Sequence, residues 1–319
     1  MYHPRLKPIN IIFFSKWDSF KKWQEKLLKF NILLHEWPGN FDKNSIYPDI
    51  EGALVWDPPS DMLSCFPNLK IIQSLGAGVD HILNKSYPKD INIIKLSDPD
   101  LSNQMAEYLL MSVLMCYRKF FQYSVNKNNK NWKQLIPSNK EDFIVTILGY
   151  GTISKLIVKK LIYLGFKVQV WSKTKRAPKY INYYFGDNGL HNSLKNTSCL
   201  ISLLPATSAT YNLLGHTEFS LLSKDCYFIN VGRGSTVNEE DLINALKDKN
   251  LAGAILDVFY KEPLNEDSPL WELDNVYITP HIAGITNATN YTSKLLRNNF
   301  ELLYNNKKLI NKVSNIRGY

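Results

Sequence analysis

Several short stretches carry residue types that could do chemistry. "ILGYGTISK" places Gly149, Tyr150, Gly151, Thr152, Ile153 and Ser154 directly behind an apolar run. At a strand-to-helix turn, a first glycine permits the tight bend. A second lets backbone amides approach a pyrophosphate at the positive end of the helix. Ser154 stands where the dinucleotide-binding fingerprint has a third glycine, and a small residue at this packing position weakens the match without destroying it. A plain glycine turn is the alternative. Further on, "VQVWSKTKR" runs from a strand into Ser172, Lys173, Thr174, Lys175 and Arg176 with no acid among them. In a nucleotide-binding βαβ unit this strand end faces the adenosine ribose, where an acid marks NAD and a base accepts a 2′-phosphate. Hydroxyls and cations together suit a phosphate, so NADPH is favoured and NADH stays possible. The alternative here is a solvated basic loop.

A third group lies toward the C-terminal end. "INVGRGS" carries Arg233, "LDVFYKEPL" carries Asp257 and Glu262, and "ITPHIAG" carries His281. Each segment follows an expected strand, and open α/β sheets bind ligands at the carboxyl ends of their strands. Taken singly, these are a surface arginine, a loop glutamate and a satisfied core histidine. Together, in this order and flanked by glycines and prolines, they form a candidate site.

Such loops need a sheet to hold them. Apolar runs at 9–14, 53–56, 70–78 and 92–96 alternate with helical or turn-forming segments and predict a first α/β unit. Runs at 143–149, 167–171, 199–204, 226–231, 252–258 and 276–279 are nearly continuous in hydrophobicity, as strands buried on both faces of a parallel sheet must be. Helical spacing over 101–122 carries the chain into this second unit, and a last helix over 287–304 returns it to the first. The expected division is residues 1–101 plus 286–319, a discontinuous substrate domain, and 102–285, the cofactor domain.

Composition narrows the function. The 319 residues are 45% hydrophobic, enough for a substantial core in about two domains. The formal charge of +9 is spread along amphipathic segments such as "KKWQEKLLKF", without an aromatic-interleaved basic patch, so no nucleic-acid partner is expected. No apolar run approaches the ~20 residues of a membrane span, and "MYHPRLKPINIIFF" lacks the pattern of a signal peptide, so a cytoplasmic location is expected. Cys65, Cys116, Cys199 and Cys226 show no metal-ligand spacing and read as reduced core residues. No metal is expected.

The motifs "ALVWDPP", "LGAGVD", "QMAEY", "LGYG", "WSKTKR", "LLPATSAT", "GRG", "LDVF", "EPL", "TPHIA" and the terminal "RGY" extend across nearly the whole chain. With them the sequence resembles the D-isomer-specific 2-hydroxyacid dehydrogenases, and within them the glyoxylate/hydroxypyruvate reductase A branch. The resemblance implies two Rossmann-like, doubly wound parallel-sheet α/β domains, one flavodoxin-like and one NAD(P)-binding, with a cleft between them. It also implies a homodimer and reduction of a small 2-oxo acid such as glyoxylate or hydroxypyruvate.

The same resemblance implies a role for each matching residue. Arg233 would bind the substrate carboxylate and polarise the carbonyl. His281 would be the general acid, with Glu262 orienting its ring and favouring its charged form. Asp257 would contact the nicotinamide carboxamide, and Leu204, Pro205, Val231 and Gly232 would line the cofactor. Ala77 and Gly78 would grip the substrate carboxylate through backbone amides, and Trp56 would wall the pocket. Two alternatives stand beside this reading: an NAD-linked dehydrogenase for a bulkier D-2-hydroxy acid, and a nucleotide-sensing, corepressor-like binding module.

Overall fold

The computed structural model describes residues 7–88, 90–96, 98–175, 181–285 and 289–313. The chain divides into two compact units, Met1–Asp98 with Thr286–Tyr319, and Pro99–Ile285. Arg176 lies outside the described residues.

The first unit contains β1 (Ile9–Phe14), α1 (Phe20–Leu28), β2 (Ile32–Glu36), β3 (Gly52–Val55), β4 (Ile71–Ser74), α2 (Asp80–Leu83) and β5 (Asn92–Ile94). Its five strands are parallel in the order β2-β1-β3-β4-β5, the flavodoxin-like arrangement, with the order reversing between β1 and β3. Alternation along each strand feeds two cores. Ile11, Leu54 and Ile71 pack on one face with Trp23 and Leu27 of α1 and with Leu296 and Phe300 of the C-terminal helix Thr289–Tyr304. Ile12, Ala53, Val55 and Ile72 pack on the other face with Met62, Phe66 and Ile82. Burial on both faces explains why β3 reads as an unbroken apolar run.

The second unit contains α3 (Pro99–Tyr117), α4 (Phe120–Asn128), β6 (Ile144–Leu148), α5 (Thr152–Tyr163), β7 (Lys167–Ser172), β8 (Asn182–Phe185), α6 (Gly186–Leu194), β9 (Cys199–Ser202), α7 (His216–Ser220), β10 (Tyr227–Asn230), α8 (Glu239–Lys247), β11 (Gly253–Leu256) and β12 (Val276–Ile278). Seven parallel strands run β12-β11-β10-β9-β6-β7-β8, the doubly wound nucleotide-binding order, reversing between β6 and β9. The strand ends that carry the glycine turn and the three polar segments therefore share one edge of this sheet.

Two elements depart from expectation. The helix expected over 101–122 breaks at Lys119, which adopts a left-handed conformation (φ 61°). The break turns Phe121 into the sheet, where its ring lies 5.0 Å from Tyr227 and 4.8 Å from Tyr277. The sheets also gain two strands that the apolar runs did not show, β2 and β8. Both are edge strands, and β8 has no fully buried residue, so neither requires a continuous apolar run. All four cysteines are buried and free.

Candidate active site

The turn after β6 is set by Gly149, whose φ of 96° favours glycine and whose amide donates to the Trp171 carbonyl at 2.8 Å. Ser154 is 2% exposed and donates its Oγ to the Gly149 carbonyl at 2.6 Å. The serine at the third fingerprint position thus closes the turn with a hydrogen bond that a glycine could not make. Gly151 differs. Its backbone is extended (φ −97°, ψ −163°), and a Cβ there would meet nothing within 4 Å. Neither this chain's packing nor its backbone requires glycine at 151. No side chain caps the helix that follows, so the amides around Thr152 and Ile153 open the N-terminus of α5 to an anion. Bare amides beside open space fit the diphosphate of a dinucleotide.

The basic loop is tied down more than its sequence suggests. The Ser172 hydroxyl donates to the Thr174 carbonyl at 2.9 Å and lies 2.5 Å from the Tyr183 hydroxyl, which donates to the same carbonyl at 2.7 Å. Ser172 is buried and shapes the loop from inside. Lys173 pairs with Asp187 in the first turn of α6, and the Lys175 Nζ sits 5.5 Å from the Phe185 ring centroid. Asp187 follows on a separate element, so reading "WSKTKR" alone does not reveal it. An exposed pair of this kind contributes about 0–1 kcal/mol, which a phosphate can displace.

Beyond β9 and β10 the loops interlock. Leu204 is buried, and a Cβ on Gly232 would approach its backbone oxygen to 2.7 Å, so Gly232 lets the two loops touch. Pro205 is held through its carbonyl, which accepts from the Thr210 hydroxyl at 2.6 Å. Val231 is buried beside them. The buried Asn230 side chain accepts from the Gly232 amide at 3.1 Å and donates to the Arg233 carbonyl at 3.2 Å, forming the turn that presents Arg233. The Arg233 Nη1 donates to the Gly232 carbonyl at 2.9 Å. At Gly234 a Cβ would fall 1.9 Å from the Phe259 carbonyl carbon, so only glycine lets this turn lie against the Glu262 loop.

Glu262 and His281 meet there. The Glu262 Oε1 accepts from the Phe259 amide at 3.1 Å, and its Oε2 lies 2.8 Å from the His281 Nδ1. Burial pushes the Glu262 carboxyl up. The hydrogen bond and charge of His281, the Phe259 amide and the Arg233 charge outweigh it and hold the group below the usual carboxylate range. An ionised carboxylate can only accept, so Nδ1 carries the proton shared with Glu262. His281 itself has φ 56°, the left-handed region.

In the first unit, the Trp56 ring lies against His81 at a tilt of 37° with centroids 4.3 Å apart, and a Cβ at Gly76 would lie 2.2 Å from the Trp56 Cζ3. The fully buried Ser74 shapes the next turn: its Oγ donates to the Gly78 carbonyl at 2.8 Å and accepts from the Gly76 amide at 3.1 Å. Among the described residues, no carbonyl or side chain accepts from the amides of Ala77 and Gly78.

Comparison with known proteins places this geometry. The profile for "D-isomer specific 2-hydroxyacid dehydrogenase, NAD binding domain" matches residues 110–283. Glyoxylate/hydroxypyruvate reductase A of Yersinia enterocolitica is 35% identical over 288 residues, covering 87% of this chain and 90% of that protein. This chain belongs to the D-isomer specific 2-hydroxyacid dehydrogenase family. A family structure from Xanthobacter autotrophicus, in complex with NADPH and MES, superposes with a TM-score of 0.90 at 31% identity, covering 98% of this chain and all of that one (100%). An NADPH-dependent glyoxylate/hydroxypyruvate reductase from Sinorhizobium meliloti, in complex with NADP and sulfate, gives 0.88 at 29% identity, covering 98% and 100%.

Within this 2-hydroxyacid dehydrogenase, the structure joins Glu262 to His281 and sets Glu262 in the field of Arg233. Gly149, Tyr150, Gly151, Thr152 and Ile153 form the turn and helix start after β6. Asp257 is 1% exposed directly after β11, and both its oxygens accept from the His281 segment: Oδ1 from the Ile282 amide at 2.8 Å, Oδ2 from the Ala283 amide at 2.9 Å. Sequence reasoning missed Asn230 and Ser74, the side chains that shape the Arg233 and Gly76–Gly78 turns. Their signal was a polar residue closing an apolar run.

Proposed function

We propose that this protein reduces small 2-oxo acids, glyoxylate and hydroxypyruvate foremost, with NADPH as hydride donor. The observation that carries the reading is the His281–Glu262 pair at 2.8 Å with Arg233 close enough to lower the Glu262 carboxyl. Cofactor choice draws support from the NADPH and NADP complexes of the structural neighbours and from the cations after β7. The bound nicotinamide supplies hydride to the carbonyl carbon. Arg233 holds the substrate carboxylate with its guanidinium fork and draws charge toward the carbonyl oxygen. The His281 Nε2 delivers a proton to that oxygen while Glu262 fixes the ring through Nδ1. Backbone amides of Ala77 and Gly78 take the other carboxylate oxygen, and Trp56 limits the substrate side chain. Asp257, with Oδ2 accepting one amide, retains a lone pair for the carboxamide. A cytoplasmic homodimer belongs to the same reading; light scattering giving the mass of a single chain would exclude the dimer.

Nicotinamide absorbance tests the proposal: purified protein with glyoxylate or hydroxypyruvate should oxidise NADPH fast and NADH slowly. Lys173→Asp should selectively weaken NADPH, because it removes a cation and adds a charge like that of Asp187. Equal damage with both cofactors would return these lysines to the solvated surface. Absence of turnover despite cofactor binding would point first to a different 2-oxo acid and second to the binding-module alternative.

The glycine turn gives a second prediction. Gly151→Ala should leave the thermal midpoint near that of the parent yet weaken NADPH about tenfold or more, since the space its Cβ enters is needed only by the ligand. Gly149→Ala should instead destabilise the fold by ~1–2 kcal/mol through its left-handed backbone. Calorimetry and cofactor titration separate the two.

A further inference from the structure

A left-handed backbone at a histidine costs on the order of 1 kcal/mol or more and persists only where neighbours enforce it. The His281 segment is held along its length. The His281 amide donates to the carbonyls of Asp257 at 2.9 Å and Thr279 at 3.1 Å, and the Ile282 and Ala283 amides donate to the two Asp257 carboxylate oxygens. The Thr279 hydroxyl donates to the Asp257 Oδ1 at 2.6 Å and lies 2.6 Å from the Tyr108 hydroxyl. A threonine hydroxyl has one proton. With that proton given to Asp257, Tyr108 must be the donor to Thr279.

Tyr108 lies on α3, far from this segment in sequence, and it is not alone there. A Cβ at Gly284 would lie 2.5 Å from the Leu101 Cδ1 and 2.8 Å from the Met105 Cγ. Leu101, Met105 and Tyr108 recur at helical spacing, so one face of α3 carries the segment from Thr279 to Gly284. Burial, with the charge of Asp257, pushes the Tyr108 phenol up against the lowering effect of Thr279, so the phenol keeps the proton it donates.

We propose that Tyr108 and Thr279 are positioning residues for His281: a Tyr108–Thr279–Asp257 chain fixes the turn that aims its imidazole. The proposal rests on the reading of His281 as proton donor. Neither residue touches the reacting atoms. Both act through Asp257 and the backbone it holds.

The experiment compares Tyr108→Phe, Thr279→Val, Thr279→Ser and the Tyr108→Phe/Thr279→Val double variant as full-length proteins. Tyr108→Phe should lower kcat about fivefold and Thr279→Val about tenfold or more, with KM for the 2-oxo acid changed less than about twofold. Thr279→Ser should restore kcat to within about twofold of the parent, because it keeps the hydroxyl. The double variant should be no slower than Thr279→Val alone, because Tyr108 works only through Thr279. Additive losses, an unrescued serine variant or unchanged kcat in both single variants would overturn the proposal.

A second readout needs no substrate. The Ile282 and Ala283 amide protons, bonded to a carboxylate, should resonate downfield in the parent and move upfield in Tyr108→Phe and Thr279→Val. Unmoved resonances would also overturn the proposal. If the parent turned over no 2-oxo acid, the functional reading would fail while these resonances still decided whether the chain of hydrogen bonds holds the turn. Tyr108→Phe and Thr279→Ser are nearly isosteric, so the test survives misfolding of Thr279→Val.

Discussion

Replacement of His281 by Asn is expected to lower kcat for 2-oxo acid reduction by ~10²–10⁴, with KM and cofactor affinity little changed. Asn is the better choice than Ala because position 281 has φ 56°, and Asn is among the residues that tolerate the left-handed region. The backbone turn then survives while the transferable proton is lost. Steady-state kinetics beside a cofactor titration measures this. A folded variant with near-normal turnover would remove His281 as the acid.

The same variant has a pH signature. Glu262 owes part of its lowered carboxyl to the hydrogen bond and charge of His281. A carboxyl depressed in the folded state stabilises the fold above the unfolded carboxyl range, and that contribution is lost as pH falls through its folded value. Removing His281 shrinks the depression. The melting difference between parent and variant should therefore be present at neutral pH and diminish on the acid side. Glu262 is partly exposed, with 33% of its side-chain surface accessible, so the difference will be small.

The strands most legible in the sequence were those with both faces covered. Phe228 and Ile229 of β10 enter opposite cores, so every residue of that strand had to be apolar or small, leaving only Asn230 at its end as a polar mark. β8 was not legible, because an edge strand whose outer side meets solvent can take "NYYF" as well as a loop can. The helix break at Lys119 was hidden for a different reason. Helical spacing continues through it, and only the long-range packing of Phe121 on Tyr227 and Tyr277 ends the helix there.

The candidate site divides along the same line. Glycines at 149 and 151 could be placed because a strand runs into them and a helix leaves. The partners that give Glu262 and Arg233 their turns are local, whereas those that hold His281 come from distant segments. Phe259 bonds Glu262 from three residues away, while Asp257, just after β11, reaches the His281 turn just after the neighbouring β12. Lys173 meets Asp187 only after the chain has passed through β8. Composition could mark the cation but not what it rests against.

Arg233 should show the other large effect, and of a different kind. If its guanidinium binds the substrate carboxylate in the ground state and the carbonyl oxygen more tightly as charge develops, its loss must raise KM and lower kcat together. Hydrogen bonds to a charged group contribute about 1.5–3 kcal/mol each, so losing two predicts a fall of roughly 10²–10⁴ in kcat/KM for Arg233→Ala. Arg233→Lys should recover little, because a single ammonium cannot reproduce the fork that spans two acceptors. The surrounding turn should survive either change. Asn230 holds it by bonding the Gly232 amide and the Arg233 carbonyl, both main-chain groups that the substitution leaves in place. Glu262 would lose one of the charges that lower its carboxyl but keep His281 and the Phe259 amide. The acid pair therefore persists in Arg233→Ala, and the loss reports the clamp alone. A variant that lost kcat with an unchanged KM would place Arg233 only at the carbonyl oxygen and remove it as the carboxylate clamp.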